Sequence, residues 1–157
     1  MNSASESEKN LLDRTNLKLL KLLQSDSQLS YRQLARFLKI SPAAVHKRIQ
    51  KLKKSGVISG FTVLIDPQKI GKKLKAFVGI STSAGSCSEV IAVLKERPEI
   101  LEIHEIAGEH DLFAKIVTSD TDELNRVLHE IDRIPGVVST RTLVVLKTEK
   151  ESTTLPL

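Results

Sequence analysis

The residues best suited to chemistry lie between Ser41 and Gly56, where small, hydrogen-bonding and basic side chains surround one apolar stripe. Val45, Ile49 and Leu52 follow at steps of four and three residues, which predicts a buried helix face. The side chains expected to point away from the stripe are Ala43, Ala44, His46, Lys47, Gln50 and Lys51. A lysine suits guanine acceptors and an alanine methyl suits the thymine methyl group. This pattern indicates a helix that reads base edges in duplex DNA.

The ends of this helix are marked in the sequence. Ser41 is expected to accept a backbone N–H as the N-cap, and Pro42 suits the first helical position, where no backbone hydrogen bond is lost. Gly56 is the C-cap candidate at the other end. Small residues near the beginning would allow that end to enter a groove.

Two further helices are predicted before it. Asp13 is expected to cap a first helix running to about Gln24, with Leu17, Leu20 and Leu23 among its apolar positions. Ser30 and Gln33 have the spacing of a capping box for the second helix, which would bury Leu34, Ala35 and Leu38. Lys39-Ile40-Ser41 is then a tight corner, and the three helices form a helix-turn-helix. The β-branched run Val57–Ile65 predicts a strand that adds a wing.

Charge is distributed unevenly along the chain. Residues 1–60 contain 12 Lys and Arg against 4 Asp and Glu, a net of +8, whereas residues 61–157 have a net of −3. The basic part would attract the phosphate backbone in a salt-dependent way. A solvated helix face is the alternative explanation for such a run.

The flanks of the motif hold the candidates for phosphate contact, because such contacts set the register of a protein on DNA. Tyr31, Arg32, Gln50 and Lys51 are these candidates, and the capping residues Ser30 and Ser41 are counted with the DNA-binding set. Arg48 has two open interpretations, a phosphate contact or an ion pair that holds the wing.

The second half contains a faint internal repeat. Strands at 76–83, 100–107, 112–118 and 137–146 and helices at 88–97 and 121–134 give two βαβ halves, each with a proline after its helix. In series they predict a ferredoxin-like βαββαβ plait, an α+β fold with both helices on one face of an antiparallel sheet. The other face has no cover within the chain, which favours pairing with a second copy.

This organisation predicts a disordered tail over 1–10, a winged helix-turn-helix domain over 11–65, a linker over 66–75, the plait over 76–148 and a C-terminal tail over 149–157. No apolar run suggests a signal peptide or a membrane span, so no membrane partner and a cytoplasmic location are expected. The single Cys87 provides no disulfide and no CxxC site, and it is interpreted as a small, partly buried residue. His104 and His129 lack a second histidine at ligand spacing and are interpreted as an edge-strand residue and a helix-surface residue. No metal, cofactor or catalytic residue is predicted.

A set of residues resembles the Lrp/AsnC (leucine-responsive and asparagine regulator) family of transcriptional regulators, over about Leu12–Lys147. These residues are Leu12-Asp13, Ile40-Ser41, Val45, Arg48-Ile49, Leu52, Gly56 and Ile58, together with the turn Gly108-Glu109-His110-Asp111. The chain departs from the family at Asn16, where an acid is usual, and at His110, where an aromatic is common.

The resemblance implies a DNA-binding regulator whose dimers form through the second domain and often assemble into octamers. It also implies a small effector, usually an amino acid, bound in pockets between dimers near the Gly-Asp turn. Gly108 and Asp111 match the family element, and Glu109 and His110 flank it. The same residues would also form a simple hairpin turn, with Gly108 at positive φ and the Asp111 side chain accepting hydrogen bonds from nearby N–H groups.

Two other functions are compatible with the same residues. Some proteins that resemble the family are haem-pathway decarboxylases, which use the second domain as an active site, and His104 or His110 would have to serve there. The uneven charge would equally suit a nonspecific architectural DNA-binding protein.

Overall fold

A computed structural model describes residues 11–157, and the predicted tail over 1–10 lies outside the described residues. The chain divides into two compact units. Of the described residues, the first contains 11–64 together with Glu151–Leu157, and the second is Ile65–Lys150. Each unit is described by itself.

The first unit is built on α1 (Arg14–Ser25), α2 (Tyr31–Leu38) and α3 (Pro42–Lys54). The predicted caps are present: the side chains of Asp13, Ser30 and Ser41 accept from the backbone N–H three residues on. At α2 the capping box is complete, because Gln33 Oε1 also accepts from the Ser30 N–H at 2.9 Å. Local hydrogen bonds therefore define where these helices begin.

The corner between α2 and α3 is tight, as predicted. Lys39 has a left-handed backbone with φ 56°, and the Ile40 N–H donates to the Ala35 carbonyl at 3.1 Å. The end of α3 is one residue earlier than predicted, since Ser55 is the C-cap and Gly56 follows it with φ 78°. Glycine suits that position because it adopts positive φ without a Cβ clash.

The core of the first unit is made by one side of each helix. Val45, Ile49 and Leu52 of α3 are buried as predicted, with Leu34 and Ala35 of α2. The buried leucine of α1 is Leu19, whereas the predicted positions Leu17, Leu20 and Leu23 are half-buried. Leu38 of α2 is also half-buried and packs at the edge of this core. The packing fixes the rotation of α3 about its axis.

The predicted wing strand over Val57–Ile65 is absent: no residue of this segment is in a strand. The Ile58 N–H donates to the Leu52 carbonyl at the end of α3, and the Lys53 ammonium lies 4.9 Å from the Phe61 ring centroid. Val63 is 79% exposed. β-branched residues favour strands only where a neighbouring strand supplies hydrogen bonds and packing, and none pairs with this segment in residues 11–157.

The second unit contains a four-stranded antiparallel sheet and two helices. The elements are β1 (Leu74–Thr82), α4 (Cys87–Lys95), β2 (Ile100–Glu105), β3 (Leu112–Thr118), α5 (Thr121–Asp132) and β4 (Val137–Val144). The strand order is β2-β3-β1-β4, with β1 antiparallel to both β3 and β4. This is the predicted βαββαβ plait.

Both helices pack on one face of the sheet, as predicted. Val90 and Leu94 of α4 and Leu124 and Val127 of α5 are buried against alternate residues of the central strands, namely Ala76, Val78, Ile80, Leu112, Ala114 and Ile116. Alternation in β1 and β3 sends Phe77 and Phe113 to the opposite face. The segment Pro67–Ile70 lies beside Val117 at one end of that face, and neither helix of the second unit covers the part around Phe77 and Phe113.

The segment before the sheet is ordered by local bonds. Pro67–Ile70 forms a 3₁₀ turn capped by Asp66, and β1 begins at Leu74. Lys72 forms an ion pair with Glu123 of α5 at 3.0 Å. At the C-terminus, the Gln24 amide pairs with the backbone of Leu155, accepting at 2.7 Å and donating at 3.2 Å. Among residues 11–157, no helix is long and apolar enough to cross a membrane.

Candidate nucleic-acid interface and effector turn

Helix α3 presents its predicted base-reading residues on the side opposite the core. Because Val45, Ile49 and Leu52 are buried, Ala43, His46 and Lys47 are exposed. Ala44 is half-buried at the margin, while Gln50 and Lys51 continue the exposed surface one turn later. The arrangement places two small residues, an imidazole and an ammonium on the first two turns of one helix, a combination that fits base edges in a major groove.

The N-terminus of α2 lies beside this surface. Tyr31 and Arg32 occupy its first turn and are exposed. The Tyr31 and His46 rings contact each other, with centroids 5.4 Å apart and planes inclined by 60°. A helix N-terminus favours anions, so this turn suits a phosphate group. Ser30 and Ser41 already use their hydroxyl groups as caps.

Arg48 has a defined structural partner. Its Nη1 donates to Asp13 Oδ2 at 2.7 Å and to Asn16 Oδ1 at 2.9 Å. Asn16 is 3% exposed and also donates to the Leu11 carbonyl. Of the two interpretations of Arg48, the ion pair is therefore present, but it holds the beginning of α1 rather than a wing.

The electrostatics of this ion pair follow from its surroundings. Burial raises the pKa of Asp13, but hydrogen bonds from the Arg48 guanidinium and the Asn16 backbone N–H outweigh it, so the pKa lies below its ordinary value of 3.8. Asp13 consequently remains charged and keeps Arg48 oriented at neutral pH.

The turn Gly108–Asp111 lies between β2 and β3. The Asp111 carboxylate accepts from the Thr82 backbone N–H at 2.6 Å and from the Thr82 hydroxyl at 3.2 Å. The Asp111 N–H donates to the Ile80 carbonyl at 3.1 Å. This carboxylate thus ties the turn to the end of β1, which agrees with its predicted bonding to nearby N–H groups.

Gly108 does not have the predicted positive φ. A Cβ at this position would meet nothing within 4 Å, so neither backbone conformation nor space requires glycine there. Positive φ was predicted because glycine often adopts it in turns, but the φ of a turn residue depends on the strands that the turn joins.

The other two turn residues contact the neighbouring strands. His110 Nδ1 lies 3.1 Å from Ser81 Oγ, and its ring lies over Gly79, where a Cβ would come within 2.2 Å of His110 Cδ2. Glu109 forms an exposed ion pair with Arg141 of β4 at 3.0 Å. The sequence alone did not identify Gly79, Ser81 and Arg141 as neighbours of this turn. An isolated glycine inside a strand was the one available signal, since it marks a close approach.

The uncovered sheet face is apolar at its centre and charged at its margin. The Phe77 and Phe113 rings stack at 5.7 Å with 14° between their planes, and the neighbouring Leu143 is 52% exposed. At the margin Lys115 forms an ion pair with Glu102 at 2.9 Å, and this hydrogen bond holds the pKa of Glu102 below its ordinary value. Such a face suits a protein partner.

The remaining candidate residues are dispersed. His104 lies on β2 at 3.4 Å from Glu102, His129 is exposed on α5, and Cys87 is half-buried at the beginning of α4. No group of three or more potential metal ligands occurs among residues 11–157.

Comparison with known proteins gives a consistent result for both units. The model of a winged helix-turn-helix DNA-binding domain matches residues 12–59, and that of the Lrp/AsnC ligand binding domain matches residues 75–155. The HTH-type transcriptional regulator FL11 of Pyrococcus horikoshii is 42% identical over 146 residues, covering 93% of this chain and 97% of that protein. The HTH-type transcriptional regulator Ptr1 of Methanocaldococcus jannaschii is 31% identical and covers 94% and 100%.

Solved structures agree with these relatives. Escherichia coli AsnC superposes with a TM-score of 0.87 at 29% identity, covering 92% of this chain and 99% of that one. The transcriptional regulator NMB0573 of Neisseria meningitidis, solved as a complex with L-Met, gives a TM-score of 0.86 at 28% identity and covers 92% and 96%. Each of these four proteins is named as a regulator or as AsnC.

Proposed function

Because this chain belongs to the Lrp/AsnC family of transcriptional regulators, we propose that it binds specific DNA sites as a dimer or larger assembly and responds to a small effector such as an amino acid. The observation that carries the proposal is the rotation of α3. Burial of Val45, Ile49 and Leu52 leaves His46 and Lys47 exposed at the end of the helix that would enter a groove.

We assign base contacts to the leading turns of α3 and phosphate contacts to its flanks. The base-reading set is Ala43, Ala44, His46 and Lys47, and the phosphate set is Ser30, Tyr31, Arg32, Ser41, Gln50 and Lys51. Exposure of the charged and aromatic members supports this division. Arg48 is assigned a supporting role, since its guanidinium is bonded to Asp13 and Asn16.

Dimerisation is proposed through the uncovered sheet face. The stacked rings of Phe77 and Phe113 with Leu143 form its apolar centre, which water would otherwise solvate. Association of two identical faces gives a two-fold dimer with two copies of α3. Its operator would then be a pseudo-palindrome with half-sites about one helical turn, or a multiple of one, apart. Assembly into an octamer is what family membership suggests beyond this.

The effector site is proposed at the turn Gly108–Asp111 with its neighbours on the sheet. Glu109 and Arg141 place a carboxylate and a guanidinium 3.0 Å apart in solvent, which complements the ammonium and carboxylate of an amino acid. Asp111 shapes the turn through Thr82 rather than standing free. The L-Met complex of the Neisseria meningitidis relative supports an amino acid as the ligand class.

The DNA upstream of the chain's own gene can be footprinted with and without a mixture of amino acids. This experiment tests whether the protein binds a specific site, whether an amino acid changes that binding, and whether the protein binds upstream of its own gene. We expect protected half-sites at helical spacing and a changed pattern when effector is added. Uniform protection would favour the architectural alternative instead. A purified protein that binds haem-pathway intermediates but no specific DNA would favour the enzyme alternative.

A thermal-shift screen of the individual amino acids tests the effector separately. A ligand that binds only the native state must raise the melting temperature, by an amount that grows with its concentration above Kd. The matched variant Glu109→Gln should lose the shift for the active amino acid. If no amino acid shifts the wild-type protein, the amino-acid part of the proposal fails while the DNA part stands.

A further inference from the structure

Three exposed side chains meet at the DNA-facing side of α3. The Tyr31 ring packs against the His46 ring at 5.4 Å, and Gln50, one turn beyond His46 on the same face, brings its Nε2 to 3.4 Å from His46 Nε2. All three side chains are exposed, so core packing does not force them together. Their contacts restrict an imidazole that would otherwise rotate freely in solvent.

The contact with Gln50 favours one neutral tautomer of the His46 ring. The Gln50 amide nitrogen lies 3.4 Å from His46 Nε2 and only donates hydrogen bonds, so a hydrogen bond between them requires His46 Nε2 to accept. The neutral imidazole then carries its proton on Nδ1. No hydrogen bond to His46 Nδ1 occurs within residues 11–157. This N–H thus has no partner among the described residues and is available to a ligand.

We propose that Tyr31 and Gln50 are positioning residues that hold His46 as the Nδ1–H tautomer, so that α3 offers a hydrogen-bond donor to the base edge at this position. The inference rests on the proposed function, in which α3 reads DNA. This role is additional to the phosphate contacts proposed for Tyr31 and Gln50, because through His46 the two residues would also affect which base is preferred.

The consequence for recognition follows from base chemistry. A donor in the major groove pairs with purine N7, guanine O6 or thymine O4, and it is mismatched with the amino groups of cytosine and adenine. A His46 ring with the opposite tautomer would present an unprotonated Nδ1 and prefer those amino groups. Gln50 would therefore influence base choice without touching the base.

Nitrogen-15 NMR of the full-length protein tests the tautomer without any DNA. Spectra are recorded at about pH 8.5, about two units above the pKa of histidine in model peptides, and the His46 signals are assigned by their loss in His46→Asn. We expect Nδ1–H in the wild type. Gln50→Glu keeps the side-chain shape but offers only hydrogen-bond acceptors, so His46 should change to the Nε2–H tautomer. Gln50→Ala removes the donor, so His46 should shift toward Nε2–H in that variant as well.

Lys51→Ala is the matched control, since it changes the next residue of α3 and should leave the His46 tautomer unchanged. A wild-type His46 in the Nε2–H form would overturn the proposal. The same holds if Gln50→Glu leaves the tautomer as it is in the wild type. Circular dichroism of each variant verifies that the helices are retained.

Selection from duplexes with a randomised core tests the effect on base choice. Gln50→Glu should change the preferred base at one position in each half-site, while Tyr31→Phe, which keeps the ring, should select the wild-type motif and Tyr31→Ala should broaden it. An unchanged motif with uniformly weaker binding would assign Gln50 to phosphate and refute the positioning role. If the wild type itself selects no motif, the proposed function fails and the tautomer result is unaffected.

Discussion

At the scale of single residues, Lys47 and Arg48 are adjacent in α3 but have different environments. Lys47 is exposed on the surface proposed to face DNA, whereas Arg48 turns toward α1 and bonds Asp13 and Asn16. Charge alone does not distinguish them. The helical rotation imposed by Val45 and Ile49 does, so the two residues should respond differently to the same substitution.

Lys47→Ala should weaken specific DNA binding far more than nonspecific binding, because it removes a donor to a base edge. A loss of about 1–3 kcal/mol in specific binding is expected. Fluorescence anisotropy with an operator duplex and a scrambled duplex measures both. Equal losses on the two duplexes would contradict base readout by this residue.

Arg48→Ala should instead destabilise the fold by about 1–3 kcal/mol, because Asn16 Oδ1 is left buried without its donor. The ion pair itself adds little, since both side chains are about one-third exposed. Urea unfolding measures the loss, and Lys47→Ala, with nearly unchanged stability, is the neighbouring control. A stable Arg48→Ala protein with weakened DNA binding would restore the phosphate interpretation.

Gly79→Ala should displace His110, since the new Cβ would lie 2.2 Å from the ring. Overpacking of this kind costs about 1–3 kcal/mol. The double variant Gly79→Ala/His110→Ala should recover most of that loss, because the conflicting ring is absent. Thermal unfolding of the four proteins in this cycle measures the coupling, and additive losses would argue against a direct contact.

At the scale of elements, helix beginnings carry the strongest local signals in this chain. Asp120 caps α5, and the hydrogen bond from the Glu123 backbone N–H holds the pKa of Asp120 below its ordinary value. The Glu123 carboxylate in turn accepts from Ser119 and forms an ion pair with Lys72, which precedes β1. This arrangement ties the segment after the 3₁₀ turn to the helical layer.

The pH dependence of stability should report this cluster. The hydrogen bond from the Ser119 backbone and that from Lys72 lower the pKa of Glu123 from 4.5 to about 2. A lowered pKa stabilises the fold above 4.5, and the benefit is lost as pH falls from 4.5 toward 2. The stability difference between wild type and Glu123→Gln, measured in urea, should therefore shrink over that range. A constant difference would contradict the assigned pKa.

At the scale of the whole molecule, the main feature of the second unit is the sheet face that neither of its helices covers. Phe77 and Phe113 stack there and are half-buried, and charged pairs lie around them. A domain of this size gains stability by burying such a surface. In the proposed dimer, this face would bring two copies of α3 together on DNA.

Phe113→Glu should convert a dimer to a monomer, because it places a charge at the apolar centre of the proposed interface. Sedimentation velocity measures the change, and Leu146→Glu is the matched control, since Leu146 is 98% exposed outside the sheet. The monomer should also lose cooperative binding to paired half-sites. A Phe113→Glu protein that remains a folded dimer would place the interface elsewhere.

Helix caps, the apolar stripe of α3 and the plait topology could be read from the sequence because each depends on residues close in the chain. Asp13, Ser30 and Ser41 bond N–H groups three residues away, and the strands and helices of the second unit follow local periodicity. The boundary errors are small for the same reason. The positive φ assigned to Gly108 was wrong, since a turn takes its geometry from the strands that it joins.

Only the tertiary structure decided which distant residues meet. Arg48 and Asp13 are 35 residues apart, His110 and Ser81 are 29 apart, and Tyr31 reaches His46 across the corner between α2 and α3. The strand predicted over Val57–Ile65 is absent because β propensity requires a partner strand, which no local pattern can supply. The sequence by itself determined the helices and, in the second unit, the strands and their order along the chain, since short-range bonding and periodicity encode them. Side-chain partners were decided by folding, because they depend on how the elements pack.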